Sequence, residues 1–380
     1  MGEALRILTL LFFISGIAVI YTWAGYPALL WILRRTVSRR TLKEDYEPTV
    51  TVILAVHNEE AEIAEKLSDC VSLEYSKDRL EFIVVSDGST DRTEEIVREF
   101  AAGERRIHLL RSERMGKSGA QNLAVQHASG EILVFTDAGT RTQPGLLHTL
   151  VRNFADPTVG LVTNIVCFGH PGMAQIKGQG LYWRYEFFLR QVESDIGALA
   201  TATGTALAMR RSLFRPMPSC YGDDCILPLD VRLQGYRVLQ DPEAVVYDTM
   251  PHTVAQELRS RIRMTARNWT GTFSRPALLN PFCYPLTALC LISHKVLRWA
   301  TPFLLALGFA LNAVLVLHHE QVTPWLVQIL CYGAALVGWI QVKRNRPGGI
   351  FAYPFSFCLA NLGFVLGIVK AFRHQRIVSY

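Results

Sequence analysis

Four long apolar runs without a charged residue stand out along the chain, at 7–33, 300–317, 322–342 and 350–369. A helix rises 1.5 Å per residue, so each run is long enough to cross a hydrocarbon core of about 30 Å. The first run is followed, not preceded, by its basic cluster and exceeds a cleavable signal segment in length, which predicts a retained anchor. A fifth stretch, 286–299, is apolar on one side with His294, Lys295, Arg298 and Trp299 interspersed, the pattern of a helix lying along a membrane surface. The chain between these runs has ordinary globular character. Three regions are therefore predicted: an anchor with its basic stop at 1–43, a soluble domain at 44–282, and an interfacial helix with a C-terminal bundle of about three membrane helices at 283–380.

The soluble region switches between two periodicities. TVTVILAV at 49–56 is β-rich and apolar, as a buried parallel strand requires. It ends in the polar turn His57-Asn58-Glu59-Glu60, after which AEIAEKLSDCVSL repeats apolar residues at helical spacing. A second strand, 80–85, stops at Ser86-Asp87-Gly88-Ser89; Thr90 or Asp91 then caps the helix TEEIVREFAAG, which Gly103 closes. A third strand at 107–110 leads into the basic loop RSERMGKSG. The helix AQNLAVQHA follows, and a strand at 131–135 delivers Thr136-Asp137-Ala138-Gly139. Strands and helices in alternation predict an α/β fold with a doubly wound, mostly parallel sheet, whose ligands bind beyond the carboxyl ends of the strands. Farther on, the pattern predicts a helix at 182–193, a strand after Thr203-Gly204-Thr205-Ala206, a helix opening at Tyr221-Gly222-Asp223-Asp224, a strand from Gly235 to near Tyr247, and a basic helix at 256–272.

Composition narrows the class. The 380 residues carry 39 Lys and Arg against 33 Asp and Glu, a net charge of +6, with 50% hydrophobic residues and mean hydropathy +0.19. That excludes a disordered chain and a small disulfide scaffold, and it demands contact with lipid. Arg34, Arg35, Arg39, Arg40 and Lys43 after the first run, and Lys343, Arg344 and Arg346 between the last two, put the soluble domain on the cytosolic side of the inner (plasma) membrane. Four spans send Lys370, Arg373 and Arg376 to the far side, and a re-entrant last segment is the alternative. Much of the positive charge hugs the membrane boundaries and forms no stripe with aromatic residues, so no nucleic-acid partner is expected. The eight cysteines form no CxxC pair and read as reduced, packed thiols; Cys220 and Cys225 come closest but lack the nearby histidines of a zinc site. GxGxxG and GxxxxGK[ST] are absent, against a dinucleotide dehydrogenase or a P-loop enzyme. The spans hold no acidic residue and no repeated halves, against a transporter.

Carboxylates recur where such enzymes would show glycines. Asp87 either braces its turn through backbone hydrogen bonds or accepts them from a base N–H or a ribose hydroxyl. Asp137 either caps the following segment or holds a hard divalent cation, which takes oxygen ligands and shares its shell with phosphate and water. Asp223 and Asp224 either complement a helix dipole or form a general base whose neighbour repels it and raises its pKa. Lys117, on a glycine-flanked loop, and Arg259, Arg261, Arg263 and Arg267 can neutralise a diphosphate or lipid headgroups. Arg259, Arg263 and Arg267 share one helical face. Trp183, Tyr185 and Trp269 either stack on a sugar ring or serve as packing and interfacial anchors.

The order of motifs adds a resemblance. VTVILAVHNEE, VVSDGSTDRT, GKSGAQN, ILVFTDAGT, TGTALAMRRS, YGDDCILPL followed by GYRV, and RMTARNWTG succeed one another between 49 and 271. This stretch resembles the family 2 inverting glycosyltransferases of the GT-A fold, in the membrane-integrated branch of chitin-oligosaccharide, hyaluronan and cellulose synthases. The resemblance implies that Asn58, Glu59 and Asp87 hold the base and ribose of a nucleotide-sugar donor, UDP-linked, with Lys117 beside them. It implies that Asp137 is the first carboxylate of a DxD motif binding Mg2+ or Mn2+ on the diphosphate. Gly204 and Thr205 would line the acceptor site, and Asp224, next to Asp223, would be the catalytic base. Arg267 and Trp269 fall in the segment corresponding to QxxRW, which closes over diphosphate and acceptor.

Two positions depart from that pattern. The turn reads Asp137-Ala138-Gly139, leaving a metal to one carboxylate, the diphosphate and water. Met264 stands in place of the Gln of QxxRW, and Asn268 separates Arg267 from Trp269, which opens single transfer or short-oligomer synthesis beside processive polymerisation. The implied activity is β-linked sugar transfer to a growing extracellular polysaccharide or oligosaccharide. Two alternatives remain: transfer of one sugar to a lipid-linked acceptor, polyprenyl phosphate, presented by the helix at 286–299, and a catalytically inactive scaffold subunit.

Overall fold

The computed structural model describes residues 2–169, 181–218, 221–249, 253–344, 346 and 349–373, so that Cys220 and Arg376 lie outside the described residues. The chain divides into an α/β unit, Leu30–Met250 with Thr270–Cys290, and a helical unit, Met1–Leu29, Pro251–Trp269 and Leu291–Gln375.

Eight strands form the sheet of the α/β unit: β1 (Val50–Val56), β2 (Leu80–Asp87), β3 (Ile107–Ser112), β4 (Ile132–Thr136), β5 (Arg141–Thr142), β6 (Val159–Phe168), β7 (Ala206–Arg210) and β8 (Arg237–Asp248), in the order β3-β2-β1-β4-β7-β6-β8-β5. β1 runs parallel to β2 and β4, β2 to β3, and β6 to β8. β7 is antiparallel to both β4 and β6, and β5 to β8. The sheet is therefore mixed, with an uninterrupted parallel block only at β3-β2-β1-β4.

Why β1 is apolar at every position but Thr51 follows from its two neighbours in depth. Val52 and Leu54 pack with Ile63, Leu67 and Leu150 in one core, whereas Ile53 and Ala55 pack with Ala120, Ala124 and Ile226 in the other. Alternate side chains of a strand point to opposite faces, so helices cover both. Each fully buried Val, Ile or Leu contributes about 1.5–3 kcal/mol, and β1 is buried along its whole length.

Two helix boundaries differ from expectation. Gly103 is the last residue of the helix Thr93–Gly103 and does not close it through a left-handed backbone; Glu104 follows in an extended conformation, its N–H bonded to Phe100 O. At the other end of that helix Asp91 accepts from the Thr93 N–H at 3.0 Å, the capping contact the sequence suggests. Lys117 does not sit in a loop but opens the helix Lys117–His127, because Gly116 takes φ 81° and turns the chain into it.

Among the described residues, four stretches are long and apolar enough to cross a membrane: Glu3–Val37, Pro285–Leu317, Val322–Lys343 and Gly349–Phe372. Residues 286–299, expected as a separate surface helix, instead run on without a break into the second of these. A π-helical segment, Leu291–Val296, absorbs the change of register, and His294, Arg298 and Trp299 are buried. Tyr21 OH lies 2.9 Å from Ser293 Oγ within this stretch, and just beyond it Trp23 Nε1 donates to Thr301 Oγ1. Glycine permits the closest helix approach: a Cβ at Gly367 would fall 2.6 Å from Thr265 Cβ.

Candidate active site

The topology alone assembles an edge. β1, β2 and β4 are parallel, so their carboxyl ends, carrying Asn58, Asp87 and Asp137, lie on one side of the sheet. β7 runs the other way, pairing Thr136 with Ala206, and so brings its preceding loop, Thr203-Gly204-Thr205, to the same side. β8, parallel to β6, ends there too, at Asp248 opposite Phe168. Six stretches separated by up to about two hundred residues thus share one rim.

Parity then sorts the side chains of β4. Phe135 belongs to the core that holds the helix Lys117–His127, and Asp137 follows it two residues on. Lys117 Nζ reaches Asp137 Oδ1 at 2.6 Å and Asp223 Oδ2 at 3.1 Å, joining β4 to the start of the helix Asp223–Leu233. One turn on from Lys117, Gln121 Nε2 donates to Asp223 Oδ2 at 2.6 Å, and the Asp224 N–H donates to Asp223 Oδ1 at 3.0 Å. Burial opposes the Lys117 charge, but Asp137 and Asp223 outweigh it and hold the ammonium above the ordinary lysine range. Burial likewise opposes the Asp223 carboxylate, and Lys117 with Gln121 holds it below the ordinary range.

Asp223 and Asp224 therefore differ in kind. Asp223 is 3% exposed and neutralised by Lys117, so the expected repulsion between two bare charges is relieved. Asp224 is half-buried, takes a contact from Cys225 Sγ at 3.3 Å, and faces Gly204: a Cβ on that glycine would come within 3.7 Å of Asp224 Cβ and Asp223 Oδ1.

The other expected site residues have settled partners. Asp87 is 0% exposed, and its two oxygens accept the backbone N–H groups of Met115 (2.6 Å) and Gly116 (2.8 Å), the turn that launches Lys117. This is the bracing role. Asn58, at φ 55°, accepts from the Thr90 N–H at 2.8 Å and braces the next turn. Glu59 is pushed above the usual carboxylate range by burial first, then by Glu62 and Asp137. Thr205 does not present its hydroxyl to the rim: Asn164 Nδ2 donates to it at 2.9 Å within a buried network that also includes Thr203. Arg267 and Trp269 belong to the helical unit, where the half-buried Trp269 ring packs against Trp299 and Phe372 at 5.5 and 5.7 Å.

Three contributors escaped the sequence reading. Gln121 carried a signal, four residues after Lys117 on the same helical face. Asn164 and Asp248 carried none. Burial, with the Asp137 charge adding, pushes the Asp248 carboxyl up to about 6.

Among the described residues, no three His, Cys, Asp or Glu side chains come together as a metal cage. Asp137, with its side chain 39% exposed, offers a single open carboxylate. That donor set fits a hard cation that keeps phosphate and water in its shell, and does not fit a dedicated protein cage.

Residues 51–217 match the model of glycosyl transferase family 2. A probable glycosyltransferase, YdaM of Bacillus subtilis (strain 168), is 29% identical over 258 residues, which cover 60% of this chain and 57% of that protein. The poly-beta-1,6-N-acetyl-D-glucosamine synthase of Staphylococcus aureus (strain COL) is 26% identical over 225 residues, 56% of this chain and 53% of the synthase. The chain thus spans just over half the length of these curated relatives. The solved mannosyltransferase PcManGT from Pyrobaculum calidifontis, in complex with GDP-Man and Mn2+, is similar at TM-score 0.73 and 27% identity, over 96% of this chain and 100% of that one. Residues 51–217 are thus similar to glycosyl transferase family 2, on a GT-A-type mixed sheet, and among the described residues four helices are long and apolar enough to cross a membrane.

Proposed function

We propose that this protein transfers a sugar from a nucleoside-diphosphate sugar to a saccharide acceptor, with inversion, on the cytosolic side of the plasma membrane, for a β-linked extracellular polysaccharide or oligosaccharide. The observation that carries the reading is the Lys117 bridge between Asp137 and Asp223, with Asp224 and Gly204 beside it.

Each residue has a distinct task in this scheme. Asp224, the half-buried member of its pair, removes the proton from an acceptor hydroxyl lying against Gly204. The oxygen bonds to the anomeric carbon as the bond from that carbon to the diphosphate breaks; the proton stays on Asp224 and the nucleoside diphosphate departs. Asp223 has its charge matched by Lys117 and sets the position of Asp224 through the Asp224 N–H. Lys117 supplies positive charge toward the departing diphosphate. Asn58, Glu59 and Asp87 are the proposed nucleoside end; Asp87 becomes reachable only if the 113–116 loop opens, since its oxygens are occupied. Asp137 would hold Mg2+ or Mn2+, which when bound neutralises charge on the diphosphate.

The polysaccharide product is supported by the similarity to a poly-beta-1,6-N-acetyl-D-glucosamine synthase. For the donor, a UDP-sugar is the first choice, and the GDP-Man held by the similar mannosyltransferase makes a GDP-sugar the second. Membranes containing the full chain are incubated with labelled UDP- and GDP-sugars and Mg2+ or Mn2+, and the product is partitioned and sized. Labelled aqueous saccharide from one donor is the expected result. Label confined to the organic phase would assign a lipid acceptor instead, and no turnover or hydrolysis with any donor would contradict the enzymatic reading.

A further inference from the structure

Lys66 lies on the helix Ile63–Val71 and is 0% exposed, yet the mechanism above gives it no task. Its ammonium donates to three neutral oxygens: Thr136 Oγ1 at 2.9 Å, Thr140 Oγ1 at 3.0 Å and Thr140 O at 3.1 Å. An ammonium has three donors and no acceptor, so this set is complete. A buried charge hydrogen-bonded only to neutral oxygens is nevertheless costly, because hydroxyls and carbonyls replace hydration incompletely; burial pushes the Lys66 amine below its ordinary range, while Asp137 and Asp69 favour the charge. An apolar side chain of similar length would serve packing alone at least as well.

The direction of the hydrogen bonds shows what the charge accomplishes. Since the ammonium can only donate, both threonine hydroxyls must accept from it and turn their own protons outward. Thr136 Oγ1 then donates to Thr205 O at 2.8 Å, in the loop of Gly204, and Thr140 Oγ1 donates to Asp137 O at 2.8 Å. One cation therefore grips both ends of the Asp137 turn and, through Thr136, the loop beside Asp224. Parity agrees. Thr136 shares the face of Val134, against which the helix of Lys66 packs, while Asp137 meets Lys117 from the opposite face. The Asp137 turn is held from below by Lys66 and met from above by Lys117.

We propose that Lys66 is a positioning residue for the nucleotide-sugar site, its buried ammonium locking the Asp137 turn and the 203–205 loop into one geometry. The inference rests on the reading of Asp137 as a diphosphate and metal residue.

The test uses the full chain in detergent with Lys66→Met, Thr140→Val and Asp137→Asn. Thermal unfolding is measured beside calorimetric binding of UDP and GDP in the presence of Mn2+, and donor KM and kcat are compared. Lys66→Met should leave the apparent Tm unchanged or raised, since replacing a buried charge by an apolar group is often neutral or stabilising. It should weaken Mn2+-dependent nucleotide binding roughly ten-fold or more, as loss of a supporting residue around a metal ligand does, and raise donor KM with it. Thr140→Val, which keeps the charge and removes one relay, should weaken binding by a smaller factor, and it carries the test if Lys66→Met fails to fold. Nucleotide affinity unchanged in both variants, or lost only in proportion to the folded fraction, overturns the proposal. If Asp137→Asn binds nucleotide as the unaltered protein does, the underlying reading falls as well; if Asp137→Asn loses binding while Lys66→Met and Thr140→Val retain it, the positioning role alone falls.

Discussion

The turns after β2 and β4 flank the same strand, β1, on one rim of the sheet, and each carries an aspartate. Asp87 is fully buried with both oxygens given to backbone N–H groups, whereas Asp137 keeps a partly open carboxylate whose partner is a lysine side chain. Backbone amides are fixed, and with the Ser112 hydroxyl at 3.5 Å and Arg114 Nε at 4.0 Å beside them the buried Asp87 carboxylate is a fastener. A lysine can swing away on its four-carbon stem, and a carboxylate facing it retains capacity for a ligand. Equal places in the topology thus lead to unequal roles, decided by what occupies the oxygens.

The largest effect is expected just beyond the open side. Asp224→Asn should lower kcat about 1,000-fold, within the usual range for a lost general base, while nucleotide affinity by calorimetry stays within a factor of roughly two to three. Near-normal turnover would remove Asp224 from the reaction. Next, Asp137→Asn should weaken Mn2+-dependent nucleotide binding by about 10- to 100-fold with little change in Tm, because Asp223 still partners Lys117. Asp87→Asn should do the reverse: an amide nitrogen would confront a backbone N–H, costing about 1–3 kcal/mol of stability in thermal unfolding. If Asp87→Asn kept its Tm and Asp137→Asn lost it, the contrast between the two turns would be inverted.

The smallest effect concerns pH. Asp248 holds its proton up to about 6 against an ordinary value of 3.8, so the folded state binds that proton more tightly than the unfolded one. Its contribution is fully present below about 3.8 and is lost as pH rises to about 6. Asp248→Asn, which stays neutral, should match the unaltered protein in Tm at the acid end, gain on it between those values, and hold a constant advantage above. A Tm difference that shrinks with rising pH would reverse the sign.

Much of this arrangement is legible in the chain, and the rest fails for identifiable reasons. The four apolar runs read directly as membrane-length helices, because hydropathy and length are local properties. The placement of Asp137 just after β4 and of Asp223 and Asp224 at the start of a helix is legible too, because strand ends and helix starts are local. Lys66 is not, because in AEIAEKLSDC it is one more polar residue on an amphipathic helix. Its meaning comes from Thr136, which the folding of β4 beside β1 brings to it. The resemblance implies an acceptor-side place for Thr205, and local pattern gives no sign that Asn164 on β6 donates to its hydroxyl. Gln121 was within reach, hidden only by starting its helix three residues late. Local periodicity sees along an element, and these side chains are defined by what lies across from them.

The central claim is that residues far apart in sequence form one charged site, and a double-mutant cycle on Lys117 and Asp223 tests it most directly. Stability is measured by denaturant or thermal unfolding for Lys117→Met, Asp223→Asn and the pair. Lys117→Met strands the buried Asp223 carboxylate, whereas Asp223→Asn leaves Lys117 with Asp137, so the double variant should be less destabilised than the sum, with a coupling of about 1–3 kcal/mol. Additivity within about 0.5 kcal/mol would contradict the account, because it would mean that the two charges do not meet.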